Sequence, residues 1–467
     1  MSFRGPFADG PPASALEVDA PSLTEFRRTE LRRMITVVTV LGVFIVKALG
    51  RGFVGKVRRH ETPSWPKIAA DGLIDALIHL GPTYVKLGQI VASSPGLFPD
   101  LLATAARRCL DEVPPFPLED VYRIIGEDLG AGPHEIFASF EDQPLSAASI
   151  GQVHGCVLPD GREAVVKLQR PDIHHRMTTD LRISYRLAEL FEKTRWGRSA
   201  NATGVISDLH SLTFQELNPA LEAFRQDEFR TNIWAFGDNT MVTAPEIYWN
   251  YCGPQMICME RVSGIPMDRF EELDERGVDG QMVLRRGAKV WAEAVLLHGW
   301  FHGDMHAGNI WVLDDGRGCY LDFGIMGRLD PDWQEVMRDL FYTTMFDQDF
   351  TRTARSFRKM GVFPPDVGTD EEIGERLGMI VGPMINSGIA SVNLGDLIMT
   401  SVELMKQYGG QTPRELMLIA KQLLYIERYT KVLAPDYSLV RDPFLMKNVF
   451  PAEAVARAEE FGVEFPD

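Results

Sequence analysis

The chain has 467 residues, enough for two or three lobes with substantial cores. Hydrophobic residues make up 45% and charged residues 24%, the balance of a globular protein and not of a disordered one. The formal charge of −17 argues against a nonspecific nucleic-acid binder, whose mark is a basic surface, so no nucleic-acid partner is expected.

Residues 1–22, rich in Pro, Ala, Ser and Asp, read as disordered and lack the basic-then-apolar layout of a secretory leader. Residues 23–117 read as a helical extension. Its most apolar run, Met34 to Val46, has 13 residues, short of the roughly 20 that cross a bilayer. Arg27, Arg28, Arg32 and Arg33 precede this run, and Lys47, Arg51, Lys56, Arg58 and Arg59 follow it. Two readings stay open: a helix packed on the protein's own core, and a membrane-surface helix with basic flanks. Leu73, Leu77 and Leu80 keep helical spacing; Gly81-Pro82 breaks that helix and Thr83 can begin another. In the second helix Lys86, Gln89 and Ser93 share a face, which ordinary periodicity reads as solvated, and Ser94-Pro95-Gly96 ends it.

After Val113–Pro117 the texture turns β-rich, and residues 118–260 read as a small lobe with inserted helices. Val153–Leu158 and Glu163–Gln169 flank a Pro159-Asp160-Gly161 turn, the pattern of a hairpin. Lys167 is the one charge inside its apolar strand. It either snorkels at a sheet edge or needs a buried anionic partner. Helices are expected over roughly 172–196 and 202–233, with Pro219 dividing the second and separating Glu216 from Glu222. "QMICMERVSGIPM" reads as a core strand running into a loop at Gly264. Residues 261–445 read as a helical large lobe, interrupted by short β-like runs on either side of "DDGRG", and residues 446–467 as an acidic tail. "FEELDERGVDG" reads as a solvated connection. Cys109, Cys156, Cys252, Cys258 and Cys319 lack zinc-knuckle spacing and point to a reducing compartment, here the cytoplasm.

The stretch "FHGDMHAGNIWVLDDGRGCYLDFGIMG" offers two chemistries. His298, His302 and His306 invite a zinc reading, but Gly299, Gly303 and Gly308 break any helix that would align them. Phosphoryl transfer asks instead for a Lys on the phosphates, a Glu to orient it, and oxygen ligands for a hard cation. Lys167, a Glu at 216 or 222, Asn309 and Asp322 supply that set in chain order. Asp304 stands five residues before Asn309, the spacing of a kinase catalytic loop, and Asp322 opens Asp-Phe-Gly 18 residues after Asp304.

Together "YVKLGQIVASSPGLFP", "PLSAASIGQVH", "VVKLQRP", "FHGDMHAGNI" and "LDFG" resemble the UbiB/AarF/ADCK family of atypical protein-kinase-like proteins over roughly residues 30–445. The resemblance implies an α+β, two-lobed protein-kinase-like fold with a family-specific N-terminal helical extension. It implies that Lys86 and Gln89 form a regulatory KxGQ element that obstructs peptide access, with Glu216 as its carboxylate. Ala147, Ala148, Ser149 and Ile150 match the alanine-rich loop over the nucleotide, followed by Gly151 and Gln152. Lys167 matches the phosphate-binding lysine and Glu222 its partner; Met259 and Glu260 resemble the hinge beside adenine. Asp304 matches the catalytic-loop Asp, and Asn309 and Asp322 the Mg2+ ligands. Asn218 and Arg225 depart from the family pattern, one by losing an acid and the other by gaining a base.

The expected function is that of a magnesium-dependent ATP-binding protein, an ATPase or a phosphotransferase acting on small molecules or lipids. Its expected partners are isoprenoid lipid or quinone-pathway proteins, with peripheral membrane contact. The rival expectation is a nucleotide-gated binding or assembly protein at a membrane surface with little turnover.

Overall fold

The computed structural model describes residues 3–25, 27–59, 64–92, 100–110, 114–194, 201–387, 393–410 and 414–466. Ser93 and the Ser94-Pro95-Gly96 terminator lie outside the described residues. The chain forms two compact units, Met1–Leu221 with Tyr248–Arg261, and Glu222–Ile247 with Val262–Asp467. The helical extension and the small β-sheet therefore belong to one unit, and the segment from Glu222 to Ile247 joins the large helical one.

In the first unit, α1 (Leu31–Arg59), α2 (Trp65–Leu80), α3 (Pro82–Ala92) and α4 (Asp100–Ala106) precede α5 (Leu118–Leu129) and the single turn α6 (Pro133–Ile136). Gly81, at φ 104°, breaks the chain between α2 and α3, and Pro82 opens α3, where its missing N–H costs nothing. The apolar run of α1 is shorter than the helix that contains it. The helix runs on through Lys47 and Arg51, and the stretch Arg28–Val54, which takes in the turn before it, is long and apolar enough to cross a membrane. Val37 and Ala48 are buried where α1 meets α2, and a Cβ on Gly72 of α2 would strike the Ala48 side chain, so these helices approach closely. The opposite side carries Ile35, Val38, Val46, Leu49 and Phe53, all exposed.

β1 (Ser139–Ala147), β2 (Gly151–Val157), β3 (Glu163–Gln169) and β5 (Met256–Glu260) form an antiparallel sheet in the order β1-β2-β3-β5. Gly161, at φ 91°, makes the β2–β3 turn that Pro-Asp-Gly announces. α7 (Ile173–Glu192) and α8 (Ala202–Glu216) pack on each other through Met177, Leu181, Leu209 and Phe214, and α9 (Pro219–Trp234) begins at the predicted proline break. Arg33 of α1 pairs with Asp180 of α7 at 2.8 Å, and the buried Arg182 reaches Glu30 at 3.0 Å. The N-terminal segment departs from the expectation of disorder. Phe7 is buried, the Gly5 N–H donates to the Asn250 carbonyl at 3.0 Å, and Phe3 stacks on Tyr251. Its two aromatic rings have an apolar surface to cover, which composition alone does not reveal.

The second unit holds β4 (Val242–Thr243), β6 (Gly264–Pro266), β8 (Ile310–Leu313) and β9 (Gly318–Tyr320) in one sheet, and β7 (Trp300–His302) paired with β10 (Met326–Arg328) in another. A Cβ on Gly327 would collide with the Phe301 ring, so only glycine fits opposite that buried residue. Helices α10 (Phe270–Glu275), α11 (Gly280–Glu293), α12 (Pro331–Tyr342), α13 (Phe350–Lys359), α14 (Asp370–Ser387), α15 (Leu394–Gln407), α16 (Arg414–Leu433) and α17 (Pro451–Phe461) surround them. α10 replaces part of the connection read as solvated: its Leu273 is buried while Glu271 and Glu272 stay exposed. The acidic tail also packs, with Val449 and Ala454 buried and Phe465 against Phe444.

Candidate active site

In the first unit Lys167 lies on β3 between Val153 of β2 and Ile257 of β5, so it is interior to the sheet and half-buried; the edge-snorkel reading does not apply. Met259 and Glu260 lie on the edge strand β5, opposite Val165 and Ala164. Ala147 ends β1, and the Ala148 N–H donates to the Gly151 carbonyl at 2.8 Å, folding 148–150 into a tight connection with Ser149 buried. A Cβ on Gly151 would meet the Leu168 carbonyl, so this close approach requires glycine. Arg170, which sequence reasoning missed, pins the loop by donating to the Ala148 and Pro114 carbonyls at 3.0 and 2.7 Å. Gln152 is buried and its amide is already engaged: the oxygen accepts from Phe116 N–H and the nitrogen meets His154 Nε2, both at 2.9 Å. Any nucleotide contact at this position therefore falls to its backbone.

Lys86 of α3 and Glu216 of α8 form an ion pair at 2.5 Å, with side chains 18% and 7% exposed. Gln89 does not join them: its Nε2 donates to the Cys109 carbonyl at 3.0 Å. Asn218, the first departure from the family pattern, caps α9 through its Oδ1, which accepts from Leu221 N–H at 2.9 Å, and donates to the Ala15 carbonyl at 2.8 Å. Glu222 is buried in the first turn of α9, in the second unit.

The second unit gathers Asp304, Asn309 and Asp322. A turn of π-helix, Ala294–His298, delivers the chain from α11 into β7, and Asp304 follows two residues after the strand. His302 is fully buried and joins two loops. Its Nδ1 accepts from the Asp304 N–H at 3.2 Å, while Nε2 donates to the carbonyls of Leu321 and Asp322 at 3.0 and 2.9 Å. Burial holds its pKa below the ordinary histidine value, which keeps this donor-and-acceptor tautomer. Asn309 Nδ2 donates to the Asp304 carbonyl at 3.1 Å, and the Leu321 N–H to the Asn309 carbonyl at 2.8 Å. Asp322 has φ 56°, an uncommon conformation for a residue with a side chain, and its Oδ1 accepts from Gly324 N–H at 3.3 Å. Phe323 is fully buried against His302 and Phe229. The three histidines do not converge on one point: His306 Nδ1 accepts from Gly308 N–H at 3.0 Å and its Nε2 lies 3.6 Å from Asp304 Oδ2, while His298 lies by Phe236.

Helix α16 supplies what the motifs do not show. Lys421 Nζ lies 3.1 Å from Asp304 Oδ1, Gln422 donates to the Gly303 carbonyl at 2.8 Å, and the Tyr429 hydroxyl to the Met305 carbonyl at 2.9 Å. Three consecutive loop residues are thus held by one helix. Tyr425, beside Lys421, has its hydroxyl pKa raised to about 12 by burial and by the Asp304 charge. Arg225, the second departure from the family pattern, is buried and donates to the Gly324 carbonyl at 2.9 Å, anchoring the Asp-Phe-Gly turn from α9. The polar spacing in "KQLLYIERY" was the available signal for α16, but it is also that of any half-solvated helix.

Among the described residues no cluster of three His, Cys, Asp or Glu side chains converges on a metal position. Magnesium needs no such cluster, since it is held by one or two protein oxygens plus phosphates and waters. The Asn309 amide nitrogen is taken by the Asp304 carbonyl, leaving the amide oxygen to ligate. With the Asp322 carboxylate it makes a hard-oxygen set that fits this ion.

The ABC1 atypical kinase-like domain matches residues 108–357, and the UbiB helical domain matches residues 377–438, which contain α15, α16 and the end of α14. An uncharacterized Mycobacterium tuberculosis protein, Rv0647c, is 36% identical over 396 residues, covering 84% of this chain and 80% of that one. A Marinobacter nauticus protein called probable protein kinase UbiB is 32% identical over 390 residues, covering 81% of this chain and 70% of its own. Among solved structures, the Mycobacterium tuberculosis Rv3197–erythromycin complex aligns with a TM-score of 0.53 at 23% identity, covering 83% of this chain and 96% of that one, a likeness of fold alone.

Proposed function

From the premise that this chain belongs to the ABC1 (UbiB) family of atypical kinase-like proteins, we propose a magnesium-dependent ATP-binding enzyme. It hydrolyses ATP or passes the terminal phosphoryl group to a small or lipid-like acceptor. The observation that carries this reading is the hydrogen-bonded frame in which His302 ties the Asp304 loop to the Asp322 loop. Phosphoryl transfer leaves little covalent chemistry to the protein and depends on such fixed placement of charge.

The chemistry magnesium supplies at such a site is charge neutralisation across the phosphates. Asp322 and Asn309 would hold it, and Lys167 would neutralise the α- and β-phosphates. Asp304 accepts the proton of the attacking hydroxyl or water, and Lys421, 3.1 Å from its Oδ1, aims that carboxylate. The Ala147–Ile150 loop covers the phosphates, and Lys86 with Glu216 ties α3 to α8; the family resemblance makes this element an obstruction to peptide acceptors. The exposed apolar side of α1, with Arg28 and Arg32 near one end and Lys47 and Arg51 further along, fits an anionic lipid surface. That placement favours an isoprenoid or quinone-pathway acceptor over a soluble one.

The test is magnesium-dependent ATP turnover by the full chain, with and without anionic liposomes, beside Asp322→Ala. Lipid-stimulated turnover lost in the variant supports the proposal. Turnover no greater than the variant's in either condition sinks it, and nucleotide-dependent partner binding that persists in Asp304→Asn then favours a nucleotide-gated binding protein.

A further inference from the structure

Helices α11, α12, α14, α15 and α16 surround an apolar cavity of about 210 Å³ within the second unit. Protein interiors pack like organic crystals and leave few voids larger than a water molecule. An apolar hollow of about 150 Å³ already takes a benzene ring. Among the described residues no charged side chain lines the cavity, and its two hydroxyls, Thr344 and Ser401, are spent on the Leu340 and Leu397 carbonyls of their own helices. Trp291, 4% exposed, also lines it, and its indole N–H is buried without an acceptor. A buried donor in that state carries a desolvation penalty that a ligand oxygen removes. Met417 lines the cavity and is 45% exposed, so the hollow reaches the surface there. Methionine walls adapt to flexible apolar ligands.

We propose that this cavity binds one hydrocarbon chain, acyl or isoprenoid, bearing an oxygen that accepts from the Trp291 indole. The wall helix α16 lines it through Leu416, Ala420 and Leu423, and the same helix holds the catalytic loop through Lys421, Gln422 and Tyr429. A chain seated between α15 and α16 therefore acts on the helix that positions Asp304. This second half rests on the phosphoryl-transfer reading; binding itself does not.

The experiment titrates 9,10-dibromostearate into the full chain and follows quenching of tryptophan fluorescence, with geranylgeraniol as competitor and no nucleotide present. Saturable quenching at one chain per protein is expected. The Kd should rise at least tenfold in both Ala420→Phe and Val402→Phe, which fill the hollow with apolar bulk, and Trp291→Phe should remove most of the quenching. Displacement by geranylgeraniol assigns an isoprenoid ligand, and its failure to displace an acyl one. Absence of saturable quenching, or quenching undiminished in Trp291→Phe and in whichever filled variant keeps wild-type circular dichroism, overturns the site. For the coupling, stearate should change magnesium-ATP turnover at least twofold in the wild type and not in Lys421→Met. Unchanged turnover with binding intact overturns the coupling alone, and if turnover is absent altogether the quenching still decides the site.

Discussion

In the unit that carries Lys167, the N-terminal helices are held by charge. Lys86 meets Glu216 at 2.5 Å, Arg33 meets Asp180 at 2.8 Å, and Arg182 meets Glu30 at 3.0 Å. In the unit that carries Asp304, the loops are held mainly by neutral donors on backbone carbonyls: His302, Asn309, Gln422 and Tyr429. The two devices fail differently. Losing one partner of a buried ion pair strands the other charge, whereas losing a neutral donor strands only a carbonyl. Charge suits an element whose position must respond to its surroundings, and neutral hydrogen bonds suit loops that must keep one shape.

The sharpest way to break this contrast is at the chemistry. Asp322→Ala is expected to lower magnesium-dependent ATP turnover by about 100-fold or more, the effect of removing one charge-stabilising group, with circular dichroism unchanged. At the ion pair, Lys86→Met leaves the Glu216 carboxylate buried and is expected to cost about 3 kcal/mol in urea unfolding; Lys86→Met with Glu216→Gln should recover more than half of that. In the neutral frame, Gln422→Leu strands the Gly303 carbonyl and is expected to cost about 1–3 kcal/mol, with kcat falling more than ATP affinity. Lys421→Met should lower kcat several-fold and leave stability nearly unchanged, since Lys421 is 38% exposed.

The smallest effect is in pH. The folded-state pKa of His302 lies below the ordinary value of 6.5, so the unfolded chain binds the extra proton first. Its contribution to stability is complete above pH 6.5 and is lost as pH falls toward the depressed folded value. His302→Asn should flatten that part of the stability profile. A profile unchanged by the substitution would assign the acid sensitivity to His154, His210 or His298, whose pKa values burial also lowers.

Local chemistry was the legible part of this fold. Gly81-Pro82, Pro159-Asp160-Gly161 and Pro219 each mark a break the structure keeps, because the backbone restriction travels with the residue. The sequence spacing of Asp304, Asn309 and Asp322 likewise reports one continuous loop–strand–strand–loop. What the sequence hid was long-range. Lys421 stands 117 residues from Asp304 and Gln422 119 from Gly303, and polar residues on a helix look the same facing solvent or facing a loop. Arg225 resembled a loss of pattern until its distance to the Gly324 carbonyl gave it a task. The N-terminal segment failed for a related reason: Phe7 needs a partner surface, and that surface is assembled from residues far along the chain.

The central claim is a magnesium–nucleotide site on Asn309 and Asp322. Its most direct test is Mn2+ substituted for Mg2+, with electron paramagnetic resonance following cation binding to the full chain with and without ATP. The account predicts that ATP and the cation bind together, and that Asn309→Ala and Asp322→Ala each weaken cation binding at least tenfold. ATP binding indifferent to the cation and to both substitutions would contradict it.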